Sequence, residues 1–74
     1  MYAIRTSCNG IEQMTGRFDE LNAAKLCASL GMYLFVHKFS HMEEFEIQDG
    51  ELWCTAKGKK SGFEFKTEVI KVGA

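Results

Sequence analysis

Two histidines and two cysteines are the residues whose types first suggest a metal site. His37 and His41 have the spacing His-x3-His, and zinc prefers imidazole and thiolate ligands such as those of Cys27 and Cys54. The chain has no Cys-x2-Cys pair, and both histidines are predicted near a strand end rather than on one helix face. We therefore predict no metal site and no cofactor, and we interpret the cysteines as small core residues.

Cysteine catalysis is the second chemistry that these residues suggest, because a Cys-His pair needs only an orienting carboxylate. Cys54 and His37 are the candidate pair. Cys54 is predicted on an apolar sheet face near Phe45 and Phe65, where burial raises the pKa of a thiol and suppresses the reactive thiolate. So short a chain also has little room for both a core and a water-excluding cleft. We therefore predict no catalytic residues.

A basic loop is the third candidate site, and it contains Lys57, Lys59 and Lys60. Residues 58–62 read Gly-Lys-Lys-Ser-Gly, which is superficially similar to a phosphate-binding loop. A true phosphate-binding loop opens a helix, whereas this one leads into a predicted strand. We interpret it first as a solvated hairpin tip, with contact to a phosphate or an acidic protein surface as the alternative.

The fourth candidate site is a charged sheet face around one tryptophan. Carboxylates that alternate along strands are usually a solvated surface, but tryptophan is a frequent interface anchor, and acidic neighbours favour a basic partner. A register shift of one residue would bury the tryptophan instead. The residues predicted to form this partner-binding face are Trp53, Glu44, Glu46, Glu51, Glu64 and Lys66.

A hairpin at Asp49-Gly50 must position most of these side chains. This dipeptide supplies the positive backbone angles of a two-residue type I′ turn. Ile47 then pairs with Leu52. Further from the turn, Phe45 pairs with Cys54 on the same apolar face.

Two further stretches extend the predicted sheet. Residues 62–72 form a strand that places Phe65 opposite Cys54 and Lys66 opposite Trp53. Near the start of the chain, Asn9-Gly10 predicts another tight hairpin turn, which places Gln13 opposite Thr6 and Thr15 opposite Ile4. Its second arm, residues 11–17, is more polar and is predicted to be an edge strand.

One helix is predicted over residues 20–30, with Asp19 as the N-cap and Gly31 in a left-handed conformation at its end. Its main apolar face, which we expect to pack on the sheet, contains Ala23, Leu26, Cys27 and Leu30. Leu21, Ala24 and Ala28 then remain uncovered. We therefore predict a homodimer that buries these three residues.

Residues 32–39 read Met-Tyr-Leu-Phe-Val-His-Lys-Phe and are apolar on both alternating faces, which is typical of a central strand. The predicted element order is therefore ββαββββ. It describes an α+β fold in which a small antiparallel sheet carries one helix packed across one face. We expect residues 1–74 to form a single domain.

Composition narrows the possible functions. The 74 residues are 46% hydrophobic and 26% charged, which is typical of one small globular domain. No stretch is long and apolar enough to span a membrane, and three dispersed cysteines suggest reduced thiols and a cytoplasmic location. The net charge of −1 argues against general nucleic-acid binding.

Two functional classes remain open. The first is a non-enzymatic protein-binding module, regulatory or inhibitory, that occupies the surface of a partner protein; small phage or mobile-element proteins that block host or defence enzymes offer an analogy of size. The second is a nucleic-acid-binding domain that stacks bases on strand aromatics such as Tyr33, Phe35, Phe63 or Trp53 and contacts phosphates through the basic loop and Arg5.

Overall fold

One antiparallel sheet and one helix make up residues 1–73, the part of the chain that the computed structural model describes. In chain order the elements are β1 (Tyr2–Cys8), β2 (Ile11–Phe18), α1 (Leu21–Phe39), β3 (Phe45–Asp49), β4 (Trp53–Gly58) and β5 (Glu64–Lys71). The strands lie in the order β2-β1-β5-β4-β3, and α1 packs across one face. The predicted α+β class is confirmed, with five strands instead of six. Within these residues, no helix is both long and apolar enough to cross a membrane.

The β1–β2 hairpin agrees with the sequence prediction. Asn9-Gly10 has φ angles of 49° and 88°, as the tight turn requires. Thr6 lies opposite Gln13. Ile4 lies opposite Thr15, and β2 is an edge strand. The turn chemistry of Asn9-Gly10 therefore predicted this register correctly.

A β-bulge interrupts the pairing further along β2. The register shifts between Ile4 and Tyr2, so that Tyr2 lies opposite Phe18. Gly16 lies at this irregularity with a φ of 73°, and a Cβ atom there would collide with the ring of Phe18. Glycine is therefore required both by the backbone conformation and by the neighbouring ring.

The helix is longer than predicted, and it contains the segment that we expected to be a central strand. It begins after Glu20, which is extended and makes no side-chain cap, so the prediction of Asp19 as N-cap is wrong. It continues through Gly31 and ends at Phe39. The glycine therefore does not terminate the helix, and residues 32–39 are helical.

The apolar residues after Gly31 explain this outcome. Met32, Phe35 and Val36 have the spacing i, i+3 and i+4, and all three pack towards the sheet. Tyr33 and Leu34 project on the other side and are exposed. Apolar residues on both sides of a helix imitate the pattern of a doubly covered strand.

The helix also presents the opposite face from the predicted one. Ala24 and Ala28 are buried against the sheet together with Ile4 and Val69, and Leu21 packs at the edge of this cluster. The prediction of Leu21, Ala24 and Ala28 as a dimer face is therefore wrong. Alanines allow the helix to approach the sheet closely, so the smaller residues took the core position.

The opposite face, which we expected to pack on the sheet, points outwards. It contains Ala23, Leu26, Cys27 and Leu30, all of which are exposed.

The turn between β3 and β4 lies two residues later than predicted. Ile47 pairs with Ala56, Phe45 pairs with Gly58, and the chain reverses around residues 51 and 52. Gly50 has no positive φ, and the carbonyl of Leu52 accepts a hydrogen bond of 2.7 Å from the Val69 N–H. Pairing with β5 therefore outweighed the local turn preference of Asp49-Gly50.

These register errors left the sheet faces unchanged. The β3–β4 pairing is displaced by four residues from the predicted register and the β4–β5 pairing by two, so that Cys54 lies opposite Thr67 and Trp53 lies opposite Glu68. Side chains alternate with a period of two, so an even shift keeps the paired strand residues on their predicted faces. Glu51 and Trp53, at the turn, nevertheless border the cleft on the helix side.

An aromatic cluster covers the sheet beneath the C-terminal half of α1. The ring of Phe35 stacks on that of Phe65, with centroids 4.1 Å apart, and meets Phe45 edge-on at 5.6 Å. The ring of Phe63 is nearly parallel to that of Phe35, with centroids 6.0 Å apart. This cluster closes the base of the β3–β4 hairpin, and the tip of the same hairpin is built differently.

Candidate protein-binding cleft

A cleft opens between α1 and the tip of the β3–β4 hairpin. Its volume is about 480 Å³, which is within the range of ligand sites in proteins. It exists because the helix residues that face the hairpin tip include Ala28 and Ser29, which are too short to fill the space. Its walls are formed by Lys25, Ala28, Ser29, Met32 and Tyr33 of the helix, by Ile47, Cys54, Thr67 and Val69 of the sheet, and by residues 49–53.

Thr67 provides a polar group inside the cleft. Its side chain is 3% exposed, and its hydroxyl oxygen has no hydrogen-bond partner within residues 1–73. The neighbouring Met32 and Val69 have apolar side chains. An unpaired buried hydroxyl costs about 1–3 kcal/mol. The oxygen is covered by neighbouring atoms, so a ligand removes that cost only when those side chains move aside and let it pair with the hydroxyl.

Three large apolar side chains of the hairpin lie beside the cleft. Ile47, Leu52 and Trp53 are 47%, 39% and 41% exposed. The indole of Trp53 lies against Gly50, where a Cβ atom would overlap the ring. Gly50 is therefore needed for close packing with Trp53 and not for the positive backbone angle that the sequence suggested.

Charged groups also line the cleft. Lys25 belongs to the helix wall, and Asp49 and Glu51 belong to the hairpin tip. The thiol of Cys54 donates a hydrogen bond of 2.9 Å to the Asp49 carboxylate. Burial, together with this hydrogen bond and the carboxylate charge, raises the pKa of Cys54 to about 12. The thiol therefore stays protonated at neutral pH and has little nucleophilic character.

The predicted partner-binding face is only partly assembled. Trp53 and Glu51 line the cleft, whereas Glu46 and Glu64 lie on the open sheet face, on either side of Lys57. Each of these two carboxylates is cross-strand to the same lysine, so one of the two negative charges is balanced locally.

The next rows of the open face supply the compensating positive charge. Glu68 pairs with Arg5 across the strands, and the Lys66 ammonium lies 3.5 Å from the same carboxylate. This face therefore does not form the acidic field that we predicted around Trp53.

Two carboxylates that come just before β3 in the chain contact the basic loop. The Lys59 ammonium lies 3.5 Å from Glu44. The backbone N–H groups of Lys60 and Ser61 donate hydrogen bonds of 2.9 and 3.0 Å to Glu43, and the Ser61 hydroxyl donates one of 2.7 Å. The backbone bond from Ser61, with its hydroxyl bond, lowers the pKa of Glu43. The loop therefore does bind an anion, but that anion is a side chain of the same protein.

Sequence reasoning missed Glu43, because its partners are 17 and 18 residues away. The available signal was the glycine at the start of the loop. A Cβ atom at Gly58 would collide with the Glu43 carboxylate, so this glycine marks a close approach.

The residues proposed for chemistry lie apart from one another. His37 stacks on Tyr33 on the outward side of the helix, with centroids 6.1 Å apart, whereas Cys54 lines the cleft. Within residues 1–73, no three histidine, cysteine, aspartate or glutamate side chains are grouped so that they could hold a metal ion.

Comparison of the chain with known protein families, with curated proteins and with solved structures gave no match.

Proposed function

We propose that this protein is a small non-enzymatic protein-binding module, regulatory or inhibitory in action, that holds one side chain of a partner protein in the cleft. The observation that carries this proposal is the largely apolar cleft, whose lining includes Thr67, a residue with a buried and unpartnered hydroxyl. A cytoplasmic location is part of the proposal. It is supported by the three cysteines, which are all thiols.

The chemistry of the cleft favours an aromatic side chain with one polar atom, such as tyrosine. Its ring would contact Met32 and Val69, and its hydroxyl would pair with Thr67. Asp49 and Glu51 at the hairpin tip favour a basic residue next to this tyrosine. The exposed side chains beside the cleft supply apolar contact area for the surrounding partner surface.

The geometry gives less support to nucleic-acid binding. Tyr33 and Phe35 are helical, and Phe35 is packed within the aromatic cluster, so neither belongs to a strand platform. Arg5 and Lys59 already have carboxylate partners. Phosphate binding would have to displace these partners.

The test uses two probes that differ by one hydroxyl group. We expect p-cresol, the side-chain analogue of tyrosine, to bind more tightly than toluene in an NMR titration that follows the Met32 and Val69 methyl signals. In the Thr67→Val variant, which keeps the side-chain shape, the two affinities should become equal. Thr55→Val is the matched control, because Thr55 lies on the opposite sheet face and its replacement should leave the preference unchanged.

Each outcome of this titration has a clear meaning. Equal affinities in the wild-type protein, or a preference that persists in Thr67→Val, would contradict the role of the hydroxyl. NMR chemical-shift changes confined to residues outside the cleft would contradict the proposed site itself.

A photo-crosslinking residue at position 52, compared with one at position 46, would identify the partner. We expect a protein to be captured at position 52 alone, since Leu52 lies at the cleft and Glu46 does not. Binding of labelled oligonucleotides that weakens with salt would instead support the nucleic-acid alternative.

A further inference from the structure

The outward face of α1 carries an apolar stripe that is separate from the cleft for most of its length. Ala23, Leu26, Leu30, Tyr33 and His37 follow one another at alternating spacings of three and four residues. Leu26, Leu30 and Tyr33 are 73%, 54% and 65% exposed. This spacing is typical of a helix that packs along a second helix.

Cys27 and Leu34 widen the stripe on one side, and both are exposed. We propose that a second copy of this chain covers the stripe, with the two helices antiparallel and a twofold axis at Leu30. The resulting interface is isologous, because each chain contributes the same residues.

The sizes of the side chains favour this antiparallel arrangement. About an axis at Leu30, Ala23 meets the partner's His37, and Cys27 meets the partner's Tyr33. Both of these contacts therefore join a small residue to a large one. A parallel pair would place tyrosine on tyrosine and leave a gap between the two alanines, which lowers packing density.

Charge complementarity points in the same direction. The helix is preceded by Asp19 and Glu20, and it ends near Lys38 and His41. None of these four residues forms an ion pair within residues 1–73. An antiparallel pair brings the acidic start of one helix to the basic end of the other and opposes the two helix dipoles.

The available area fits a reversible dimer. A helix of 19 residues is about 28 Å long, and one face of it presents on the order of 500 Å² of accessible surface. Standard interfaces bury about 800 Å² per partner, so this interface is smaller than the standard size and falls among the weak, transient ones. We expect dissociation in the micromolar range, where sedimentation equilibrium can follow it.

Cysteine crosslinking tests both the face and the direction. In a Cys27→Ser background, which removes the exposed cysteine, Leu30→Cys should form a disulfide-linked dimer under mild oxidation. Leu26→Cys should not, because the two copies of position 26 lie eight residues apart along the antiparallel helices, about 12 Å. A disulfide requires Cα atoms within about 7 Å. A mixture of Leu26→Cys and Leu34→Cys should crosslink as a heterodimer.

A charged substitution supplies the second measurement. Leu30→Glu should shift the protein to the mass of one chain while its circular dichroism stays unchanged, because Leu30 lies outside the core. Ala24→Glu, in the buried face, should unfold the protein.

A wild-type mass of one chain at several hundred micromolar would overturn the dimer. Crosslinking of Leu26→Cys as efficient as that of Leu30→Cys would overturn the antiparallel direction. The cleft proposal is tested separately, by titrating p-cresol into the monomeric Leu30→Glu variant.

Discussion

The base and the tip of the β3–β4 hairpin lie under the same helix but are packed in different ways. At the base, Phe35 stacks on Phe65 and contacts Phe45, so the space between helix and sheet is filled. At the tip, Ala28 and Ser29 leave a cleft of about 480 Å³. Backbone topology is shared by the two ends, so side-chain size alone decides which is packed and which is open. We infer that stability is concentrated at the base and binding at the tip.

The largest change in stability should come from removing an aromatic side chain at the base of the β3–β4 hairpin. Phe65→Ala removes a ring that is 8% exposed and stacked on Phe35, and it should lower the free energy of unfolding by about 3–5 kcal/mol in urea titrations. Glu46→Ala, on the open sheet face, is the control and should cost less than about 0.5 kcal/mol. Similar losses from both variants would mean that the base is not the packed region.

At the tip of the hairpin, a substitution should raise the stability instead of lowering it. Thr67→Val replaces an unpaired buried hydroxyl with a methyl group, and it should raise the free energy of unfolding by about 1–2 kcal/mol. The same variant should lose the preference for p-cresol over toluene. A gain in stability with a loss of binding is the expected signature of a polar group kept for a ligand. A destabilised variant would show that the hydroxyl is already satisfied.

A smaller change in stability should come from a substitution at Gly31 of α1. Gly31 lies inside α1 with open space around the position of a Cβ atom. Gly31→Ala should therefore raise the free energy of unfolding by about 0.5–1 kcal/mol, as expected for an exposed helix interior. Thermal unfolding of the wild-type protein and of Gly31→Ala measures this difference in stability. A loss of stability would show that the helix does not continue through this position.

The last prediction concerns pH and the carboxylate that ties the hairpin base to the loop before β5. The folded-state pKa of Glu43 is lowered from 4.5, so its ionised form stabilises the fold above that pH. This contribution should disappear as the pH falls below 4.5 and through the lowered pKa. The stability difference between wild type and Glu43→Gln should therefore shrink on acidification in urea titrations. A difference that is constant from pH 7 to pH 3 would contradict this role.

Local sequence signals predicted the parts of the fold that depend on local chemistry. Asn9-Gly10 set the first hairpin correctly, because that turn requires its positive angles. Asp49-Gly50 carries the same signal, yet the turn formed two residues later, where Leu52 bonds to β5. Tertiary pairing decided the second case, and no local pattern contains that information.

The helix shows the limit of periodicity. Tyr33 and Leu34 made residues 32–39 resemble a buried strand, because both are apolar although both face outwards. An exposed apolar side chain is the feature that a pattern based on burial cannot distinguish from a core residue. It is also the feature that indicates an interface.

The candidate site was predicted only in part. Trp53 was predicted to be an exposed interface anchor; the structure exposes 41% of it, and its role as an anchor stays a prediction. The cleft beside it depends on Thr67, Ala28 and the hairpin tip, which come together only in three dimensions. A cavity is unfilled space between residues that are distant in the sequence, so no local sequence pattern predicts it.

The bulge at Gly16 bears on how the protein avoids aggregation. β2 is an edge strand of eight residues, and its side chains are exposed up to Arg17. Such an edge offers unpaired backbone groups to any other extended chain. The extra residue opposite β1 bends the strand and increases its twist, so that a flat incoming strand cannot pair along its full length. We expect deletion of Gly16 to straighten this edge and to increase edge-to-edge association between copies of the protein.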